Sequence, residues 1–391
     1  MTSPNGYQLI SADAHVLEPG DLFASRVPAK LRDRAPRLEP WEGGSAWMVD
    51  GSEPVPLPAS AVTGSGYRLP DAGTRPIAFE DVLPALYDPA ERLKAQDADS
   101  VDAEILYPSP GLWDAIKFSD DAELQLACAR AYNDWIAEFS AHRPDRLIGL
   151  GRLPSTGVED ARQELLRCVE QLGLRGAVLD GWPSGSSTAA NPSDEPFWET
   201  ANGLGAPISV HYAFGPVAET AAPAGIAPGL RPPMADIALP MASGRIFDRY
   251  PDLRMVFAHG DAGWCLHWLE FHDINYVRHK HLNEYALEDP EAVPSDYIRR
   301  HFWFTFSQDR TAVKNRRLIG PAHLMWASHF PLDTADWPDD RQQAMRITDE
   351  VPHDVRQDLL ADNAARLYRL PGHEAGFPET ELSSFEPLVY F

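Results

Sequence analysis

The sequence predicts an α/β protein, specifically a (β/α)8 TIM-like barrel with a Pro/Gly-rich insertion after its first strand. Eight short runs rich in aliphatic and aromatic residues recur along the chain, and helical patterns separate several of them. Strands that are apolar throughout and alternate with helices form parallel sheets covered on both faces. Eight such units favour a closed barrel. The runs lie at about 7–13, 103–108, 146–152, 176–180, 207–211, 254–259, 301–306 and 324–328.

Two helices are particularly clear in the sequence. Apolar residues from Leu124 to Phe139 repeat on one helical face, and Ser119 is the predicted N-cap of that helix. A second helix is predicted to begin near Val158 and to stop at Gly173. The strand at 176–180 follows directly, so this part of the chain has the order strand, helix, strand.

The main alternative fold is an open, doubly wound sheet that binds a nucleotide. Such a sheet carries a glycine-rich phosphate loop, either G-x-G-x-x-G after its first strand or G-x-x-x-x-G-K-[ST]. Neither signature occurs at the required place in this sequence. The glycine pattern therefore favours the barrel.

Two long segments lack a helical or strand period. Residues 38–85 are crowded with Pro, Gly and Ser and hold only short extended pieces, which predicts an insertion or lid over the barrel mouth. Residues 213–235 form a second loop of similar composition. We expect residues 1–371 to form one barrel domain. The apolar tail, residues 372–391, is expected to pack against the body or a neighbouring subunit, which favours a homodimer.

Composition excludes several classes of partner. Of the 391 residues, 58 are acidic and 34 are basic, and the net charge of −24 repels phosphate backbones and anionic membranes. We therefore expect a small-molecule substrate and neither nucleic acid nor membrane as a partner. The three cysteines lie far apart, which fits a reducing cytoplasm. No run approaches the roughly 18 apolar residues of a membrane span, so a cytoplasmic protein is predicted.

Metal-ligand side chains follow four of the predicted strands. Asp13 and His15 end the first strand, His211 the fifth, His259 the sixth and His329 the eighth. Because barrel strands point their C-terminal ends at one face, we expect these side chains to converge. A set of imidazoles and a carboxylate without thiolate suits a catalytic divalent ion, with Zn²⁺ preferred and Mn²⁺ or Fe²⁺ as alternatives.

Three separated motifs resemble those of a known family. They are Asp13-x-His15-x-x-Glu18-Pro19, the segment Phe257-Ala-His-Gly-Asp-Ala-Gly-Trp264, and Asn363-Ala-Ala-Arg-Leu-Tyr368. Together they resemble the amidohydrolase-2 group of the amidohydrolase superfamily, the relatives of aminocarboxymuconate semialdehyde decarboxylase. The resemblance runs nearly end to end, and the motifs occur in the same order.

The resemblance implies a metal-dependent barrel that acts on a small carboxylate or carbonyl compound by hydrolysis or non-oxidative decarboxylation. Asp13 and His15 match the first ligand pair of the group, and His211 matches its fifth-strand ligand. His259 matches the sixth-strand histidine that serves as acid and base. An amidohydrolase-like hydrolase or carboxy-lyase is therefore the predicted enzyme.

The eighth strand departs from the pattern of the group. The usual motif is Ser/Thr-Asp-Tyr/Phe-Pro-His, whereas Ser328-His329-Phe330-Pro331-Leu332 has His329 at the aspartate and Leu332 at the histidine. His329 is thus a predicted ligand or catalytic residue in place of the usual base, and ordinary hydrolysis is disfavoured. One alternative is a metal-free or metal-altered cyclase, lyase or isomerase on the same barrel. Another is a barrel that has kept only a binding or scaffolding role.

Three further polar residues lie near predicted strand ends. They are Glu18, Arg152 and Asp180. We predict that they contact the substrate or support the groups that do.

Overall fold

The computed structural model describes residues 8–64, 75–109, 111–117, 121–185, 191–211, 235–281 and 287–377. Strands occur at all eight predicted places, and three more lie in the insertion. In chain order the strands are β1 (Ile10–His15), β2 (Arg37–Trp41), β3 (Gly44–Met48), β4 (Val55–Pro56), β5 (Ala103–Tyr107), β6 (Leu147–Gly149), β7 (Gly151–Arg152), β8 (Ala177–Val178), β9 (Ile208–His211), β10 (Met255–Ala258), β11 (Phe302–Phe306) and β12 (Leu324–Trp326).

Helices separate the strands as the sequence predicts. In chain order they are α1 (Leu22–Arg26), α2 (Ala59–Val62), α3 (Pro89–Asp99), α4 (Leu112–Lys117), α5 (Ala122–Ala141), α6 (Val158–Leu166), α7 (Glu195–Leu204), α8 (Ala235–Ser243), α9 (Ile246–Arg249), α10 (Cys265–His279), α11 (Pro294–His301), α12 (Arg310–Lys314), α13 (Arg316–Ile319), α14 (Asp340–Ile347), α15 (His353–Gln357) and α16 (Asn363–Leu367). Within the described ranges, none of these helices combines the length and the apolar character that crossing a bilayer requires.

The two predicted helices are present, with one correction. The cap of α5 is Asp121, whose carboxylate accepts a hydrogen bond from the Leu124 backbone N–H at 3.1 Å. The prediction of Ser119 as N-cap is therefore wrong, and Ser119 itself lies outside the described residues. The second helix, α6, continues as a π-helical turn to Gln171 and ends before Gly173, whose φ of 69° suits glycine.

The strands outside the insertion form two parallel sheets. Their strand orders are β1-β5-β6 and β12-β11-β10-β9-β8-β7. The chain passes from one sheet to the other between β6 and β7, where Leu150 N–H donates to Leu106 O and Gly151 N–H donates to Gly176 O, both at 3.0 Å. At the opposite edges, His329 N–H donates to Asp13 O at 2.9 Å. The continuous chain from β6 to β7 thus joins the sheets at one side, and hydrogen bonds join them at the other.

The core lies on both faces of these parallel strands. One buried cluster draws side chains from most of the strands and contains Ile10, Ala12, Ile105, Ile148, Val178, Val256, Trp303 and Met325. Two larger clusters lie between the strands and the surrounding helices and insertion. Burial on both faces explains why the strands read as continuous apolar runs in the sequence.

A β-bulge in β1 decides which of its side chains face inward. Ser11 pairs with Glu104 and Ala14 pairs with Leu106, so three steps along β1 match two along β5. Ile10 and Ala12 belong to the inner cluster, whereas Ala14 packs on the helix side. The extra residue therefore shifts the alternation, so that Asp13 and His15 join Ile10 and Ala12 on the inner face.

The insertion has more regular structure than the sequence predicted. Strands β2, β3 and β4 form an antiparallel sheet, and β2 and β3 are joined by a tight turn at Glu42 and Gly43. Both turn residues have positive φ, 44° and 83°, as two-residue hairpin turns require. Trp47 on β3 is buried and packs edge-on against Phe23, with ring centroids 5.7 Å apart. The lid function remains a prediction, and the loop at 212–234 and the tail from 378 lie outside the described residues.

Candidate metal centre

The structure brings five of the predicted site residues together around one carboxylate. The Asp13 Oδ1 atom lies 3.4 Å from His15 Nε2, and its Oδ2 atom lies 3.4 Å from His259 Nδ1. The same Oδ2 atom is 3.6 Å from His211 Nε2 and 3.6 Å from His329 Nε2. We call these five residues the histidine cluster. Its members come from β1, from the end of β9 and from the residues that follow β10 and β12.

Two of the histidines sit in strained backbone. His259 has φ 63° and His329 has φ 60°, in the left-handed region that costs a residue with a Cβ on the order of 1–3 kcal/mol. Both backbone N–H groups are held, since His259 N–H donates to Thr305 Oγ1 at 3.0 Å and His329 N–H donates to Asp13 O. Surrounding structure thus stabilises a conformation that neither residue would adopt alone.

Several polar atoms of the histidine cluster are buried without a hydrogen-bond partner. They include both carboxylate oxygens of Asp13 and the Nε2 atoms of His15, His211 and His329. A buried polar atom left without a partner costs about 1–3 kcal/mol, so several in one place indicate that the site is built for another group. Ligand atoms of Asp13, His15, His211 and His259 lie within 4.8 Å of one another. One carboxylate with several imidazoles is a donor set that suits a divalent transition metal.

Hydrogen bonds on the far side of two rings orient them toward Asp13. His15 Nδ1 lies 2.9 Å from Pro108 O, and a carbonyl oxygen can only accept. The proton of this ring therefore lies on Nδ1, and the Nε2 lone pair faces the cluster. His329 also has a contact on its far side, where Nδ1 lies 3.3 Å from the Thr334 hydroxyl, a group that can either donate or accept.

Burial favours the neutral form of His15, His211 and His329, whereas Asp13 stays charged. Burial lowers the pKa of His15 to about 3, although Asp13 acts in the opposite direction. Burial also lowers the pKa of His211 and, more strongly, that of His329. Burial alone would raise the pKa of Asp13, but the neighbouring His211, His259 and His15 hold it well below its usual range. These are the protonation states that metal ligands need.

The geometry of His259 allows a second role beside the predicted one. The sequence predicted it as an acid and base, yet its Nδ1 atom lies as close to Asp13 as the His15 ring does and belongs to the set of four possible ligands. His329 lies just beside that set, with its ring centroid 4.1 Å from that of His259. Only the three-dimensional arrangement reveals that His259 can serve in either role.

Arg152 and Asp180 form an ion pair beside the histidine cluster. Arg152 is the last residue of β7, and Asp180 follows β8. These strands are hydrogen-bonded in order to β9, the strand that ends in His211. The Lys117 Nζ atom lies 3.8 Å from Asp180 Oδ1, a neighbour that the sequence analysis missed. Its position at the end of α4, after β5, was the available signal. Burial is the main cause of the lowered pKa of Lys117.

Glu18 lies deeper than the prediction of substrate contact suggests. Its side chain is fully buried, and its carboxylate accepts hydrogen bonds from Trp113 Nε1 at 2.8 Å and from the backbone N–H of Ser109 at 3.3 Å. The Ser109 hydroxyl also donates to it. Burial raises the pKa of Glu18. Its partners are thus protein groups, and substrate contact by Glu18, Arg152 or Asp180 stays a prediction.

An apolar cleft adjoins His15. The insertion provides one wall through Trp47, Val55, Leu57 and Val62, and Leu112 of α4 lines the other side. The insertion therefore lies against the candidate metal centre and contributes an apolar surface beside it.

Comparison with known sequences identifies related proteins. The profile of a family described as Amidohydrolase matches residues 66–370. The 2-amino-3-carboxymuconate-6-semialdehyde decarboxylase of Dictyostelium discoideum is 32% identical over 301 residues, which cover 75% of this chain and 79% of that protein. The gamma-resorcylate decarboxylase of Rhodococcus jostii (strain RHA1) is 28% identical over 325 residues, covering 76% of this chain and 93% of that protein.

Solved structures share the fold. An amidohydrolase from Mycobacterium avium subsp. paratuberculosis K-10 superposes with a TM-score of 0.73 at 18% identity, covering 93% of this chain and 98% of that one. A dihydroxybenzoic acid decarboxylase from Polaromonas sp. JS666, solved with bound manganese and the inhibitor 2-nitroresorcinol, gives a TM-score of 0.64 at 20% identity. It covers 93% of this chain and 98% of its own length.

Proposed function

Because the chain belongs to the amidohydrolase family, we propose that it is a metal-dependent carboxy-lyase that removes carbon dioxide from a small carboxylate without oxidation. The observation that carries this proposal is the histidine cluster, which within the described residues holds one carboxylate, Asp13, among four imidazoles. The decarboxylases among the relatives support the choice of reaction.

The composition of the cluster favours decarboxylation over hydrolysis. Hydrolysis needs a base that takes a proton from water. His329 replaces the aspartate that usually serves as base in this group. Decarboxylation needs no activated water, because carbon dioxide leaves and the remaining carbanion takes up one proton.

The proposed architecture is a closed (β/α)8 barrel with the site at the C-terminal ends of its strands. Support comes from the continuous chain that joins the two sheets between β6 and β7, and from hydrogen bonds at the opposite edges, including His15 N–H to Phe330 O at 2.7 Å. In such a barrel, catalytic groups come from several strand ends. Asp13, His211 and His329 occupy such positions.

We assign Asp13, His15, His211 and His329 as the residues that hold one divalent ion. Their unpartnered buried atoms support this assignment. When bound, such an ion supplies Lewis-acid stabilisation of negative charge on the substrate oxygens. The donor set fits Zn²⁺, Mn²⁺ or Fe²⁺, and the manganese in the related decarboxylase makes Mn²⁺ the first ion to test.

His259 is assigned as the proton donor. Its side chain is 19% exposed, as is that of His211, whereas His15 and His329 are 2% and 6% exposed. A group that protonates the substrate has to be reachable, and of these histidines His259 combines access with no assigned ligand role. When the carbon–carbon bond breaks, the electron pair stays on the carbon that lost carbon dioxide, and the His259 ring protonates that carbon. Positioned acids of this kind contribute about 10²–10⁴-fold.

Substrate contacts are assigned to the rim of the site. Arg152, with Asp180, lies at the strand ends next to His211 and offers a cation to an anionic substrate. The apolar cleft formed with Trp47 and Leu57 offers a surface for the carbon skeleton. Together they favour a substrate with a carboxylate and an apolar carbon skeleton.

The proposal is tested on protein purified without added metal. Elemental analysis is expected to find about one divalent ion per chain, and chelation followed by Mn²⁺ should remove and restore activity. A panel of hydroxybenzoates that includes γ-resorcylate is assayed for release of carbon dioxide in D2O, where one deuterium should appear on the carbon that lost it. Hydrolysis of ester or lactone substrates without any carbon dioxide release would overturn the proposed reaction. Activity that is unchanged by both chelation and metal addition would overturn the metal dependence.

A further inference from the structure

The buried carboxylate of Glu18 is not in the histidine cluster, yet it holds the segment that orients one of the ligands. Its Oε1 atom accepts from Trp113 Nε1 at 2.8 Å and from Ser109 N–H at 3.3 Å, and its Oε2 atom accepts from the Ser109 hydroxyl. Three donors from two residues of the same segment converge on a side chain with no exposed surface. The carboxylate thus fixes where Ser109 and Trp113 lie relative to β1.

One set of contacts, which we call the Ser109 arm, leads from Glu18 through Ser109 and Pro108 to His15 in the candidate metal centre. Pro108 directly precedes Ser109, and its carbonyl oxygen accepts the Nδ1 proton of His15 at 2.9 Å. Val16 N–H also donates to Tyr107 O at 3.0 Å. His15, Pro108, Ser109 and Glu18 therefore form a closed ring, because Glu18 is three residues after His15 on the same chain. The imidazole cannot rotate without breaking its hydrogen bond to the Pro108 carbonyl, and Glu18 holds the neighbouring Ser109 in place.

The other set of contacts, which we call the Trp113 arm, leads from Glu18 through Trp113 to Arg152 at the rim of the site. The Trp113 indole, whose N–H is held by Glu18, lies under the guanidinium of Arg152, with 5.1 Å between the Arg152 Cζ atom and the ring centroid. Arg152 in turn pairs with Asp180. The same carboxylate therefore connects a proposed metal ligand with a proposed substrate contact.

We propose that Glu18 is a positioning residue that aligns His15 toward the metal and Arg152 toward the substrate. The inference rests on the proposed function, since it assumes that His15 binds the ion and Arg152 the substrate. It predicts two separate consequences of losing the carboxylate, weaker metal binding through the Ser109 arm and a higher KM through the Trp113 arm.

The test uses Glu18→Gln in the full chain, with metal affinity measured by calorimetric titration of the apoprotein with Mn²⁺. The amide keeps the size of the side chain but turns an N–H₂ group toward donors. Loss of outer-sphere support for a ligand typically costs about 10–100-fold in metal affinity, and we expect a loss near the lower end because Glu18 acts through Pro108. The visible spectrum of the Co²⁺-loaded protein should also change, since it reports the geometry of the ligands.

A matched control separates positioning from general stability. Asp194 is equally buried and also accepts from backbone N–H groups, including Ser184 at 2.7 Å, but it lies at the start of α7. Asp194→Asn is expected to retain the Mn²⁺ affinity and the Co²⁺ spectrum of the unaltered protein. If the control and Glu18→Gln change both properties equally, the positioning role is overturned.

Two milder variants keep the inference testable if Glu18→Gln does not fold. Ser109→Ala removes the hydroxyl donor and keeps the backbone N–H that also donates to Glu18. It should weaken Mn²⁺ binding about 3–10-fold, at or below the lower end of outer-sphere effects, with little change in KM. Trp113→Phe removes the indole N–H of the other arm and should raise KM while leaving Mn²⁺ affinity unchanged. Unchanged metal affinity in both Ser109→Ala and Glu18→Gln would overturn the inference while leaving the proposed function intact. If the unaltered protein itself binds no Mn²⁺, Zn²⁺ or Fe²⁺, both fail together.

Discussion

Two buried polar clusters flank β1, and they are built in opposite ways. Arg92, Gln96 and Glu104 form what we call the arginine network. Arg92 Nε lies 2.5 Å and Gln96 Nε2 lies 2.7 Å from Glu104 Oε2, while Arg92 Nη1 donates to the backbone oxygen of His15 at 2.7 Å. In the histidine cluster the corresponding distances are 3.4–3.6 Å, and the facing atoms of Asp13, His15, His211 and His329 have no hydrogen-bond partner.

Burial alone does not distinguish a structural polar cluster from a candidate functional one. Arg92 and Asp13 are both fully buried. The arginine network compensates its charges by short contacts to the Glu104 carboxylate, as a structural ion pair must, although Arg92 Nη2 and Gln96 Oε1 have no hydrogen-bond partner. The histidine cluster holds its polar atoms too far apart to compensate one another, which is useful only if a further group binds there. We therefore expect mutations in the first cluster to cost stability and mutations in the second to cost metal binding and activity.

The largest expected effect is on activity, in His211→Ala. Removing this imidazole deletes a proposed ligand, so the Mn²⁺ affinity should fall by more than the roughly 100-fold upper range of outer-sphere changes, and decarboxylation should be lost. The fold should persist, because the ring has no structural partner at Nε2. Calorimetric metal titration and circular dichroism check this, with His279→Ala on the exposed end of α10 as control. Retained activity without bound metal would instead favour the metal-free alternative.

The second effect is on stability, in Arg92→Met. Glu104 would remain buried without its cation, which typically costs about 3–5 kcal/mol, measured as a shift of the urea unfolding curve. The double variant Arg92→Met/Glu104→Leu should recover much of this loss because no lone charge remains. If the double variant is as unstable as the sum of the two single variants, the network does not behave as a coupled pair.

The third effect is a loss of folding stability at acid pH, caused by two buried histidines outside the histidine cluster. Burial lowers the pKa of His301 and of His323 to about 4, and each ring bonds a backbone carbonyl through Nδ1. The unfolded chain binds these protons below about pH 6.5, whereas the folded chain binds them only below about pH 4. The free energy of unfolding should therefore fall as pH drops from 6.5 to 4, by up to about 3 kcal/mol for each residue.

Urea unfolding at a series of pH values measures this slope. His323→Gln removes one of the two groups and should make the slope shallower over the same range. A slope unchanged by that substitution would show that other groups control the acid response.

The smallest effect is expected for Thr334→Val. The substitution removes the hydroxyl near His329 Nδ1, 3.3 Å away, and leaves the side-chain shape. Because Thr334 is exposed, water can replace the hydroxyl, so Mn²⁺ affinity should fall about 10-fold or less, the low end for outer-sphere groups. Thr200→Val on the exposed surface of α7 is the control. Equal metal affinity in both variants would show that His329 needs no such support.

Much of the fold could be predicted from local pattern. The eight strand positions follow from apolar runs, and α6 from helical spacing that ends at Gly173, because these periods are local properties of the chain. The hairpin of the insertion was missed, since its turn at Glu42 and Gly43 has a weak signal and β2 is mostly exposed. The cap of α5 was misplaced by two residues because several acids and Ser119 compete at that end.

The sequence by itself determined which chemical groups lie at the strand ends. These groups are Asp13, His15, His211, His259 and His329. They could be predicted because the end of an apolar run and the type of the residue there are both properties of a short stretch of sequence. Tertiary structure decided what those groups can do together. The bulge in β1 turns Asp13 inward, and the left-handed backbone at His259 and His329 aims their rings at it. The Pro108 carbonyl sets the proton of His15, and the Glu18 carboxylate accepts hydrogen bonds from Ser109 and Trp113. These outcomes depend on contacts between residues about 90 to 320 positions apart, which no local pattern encodes.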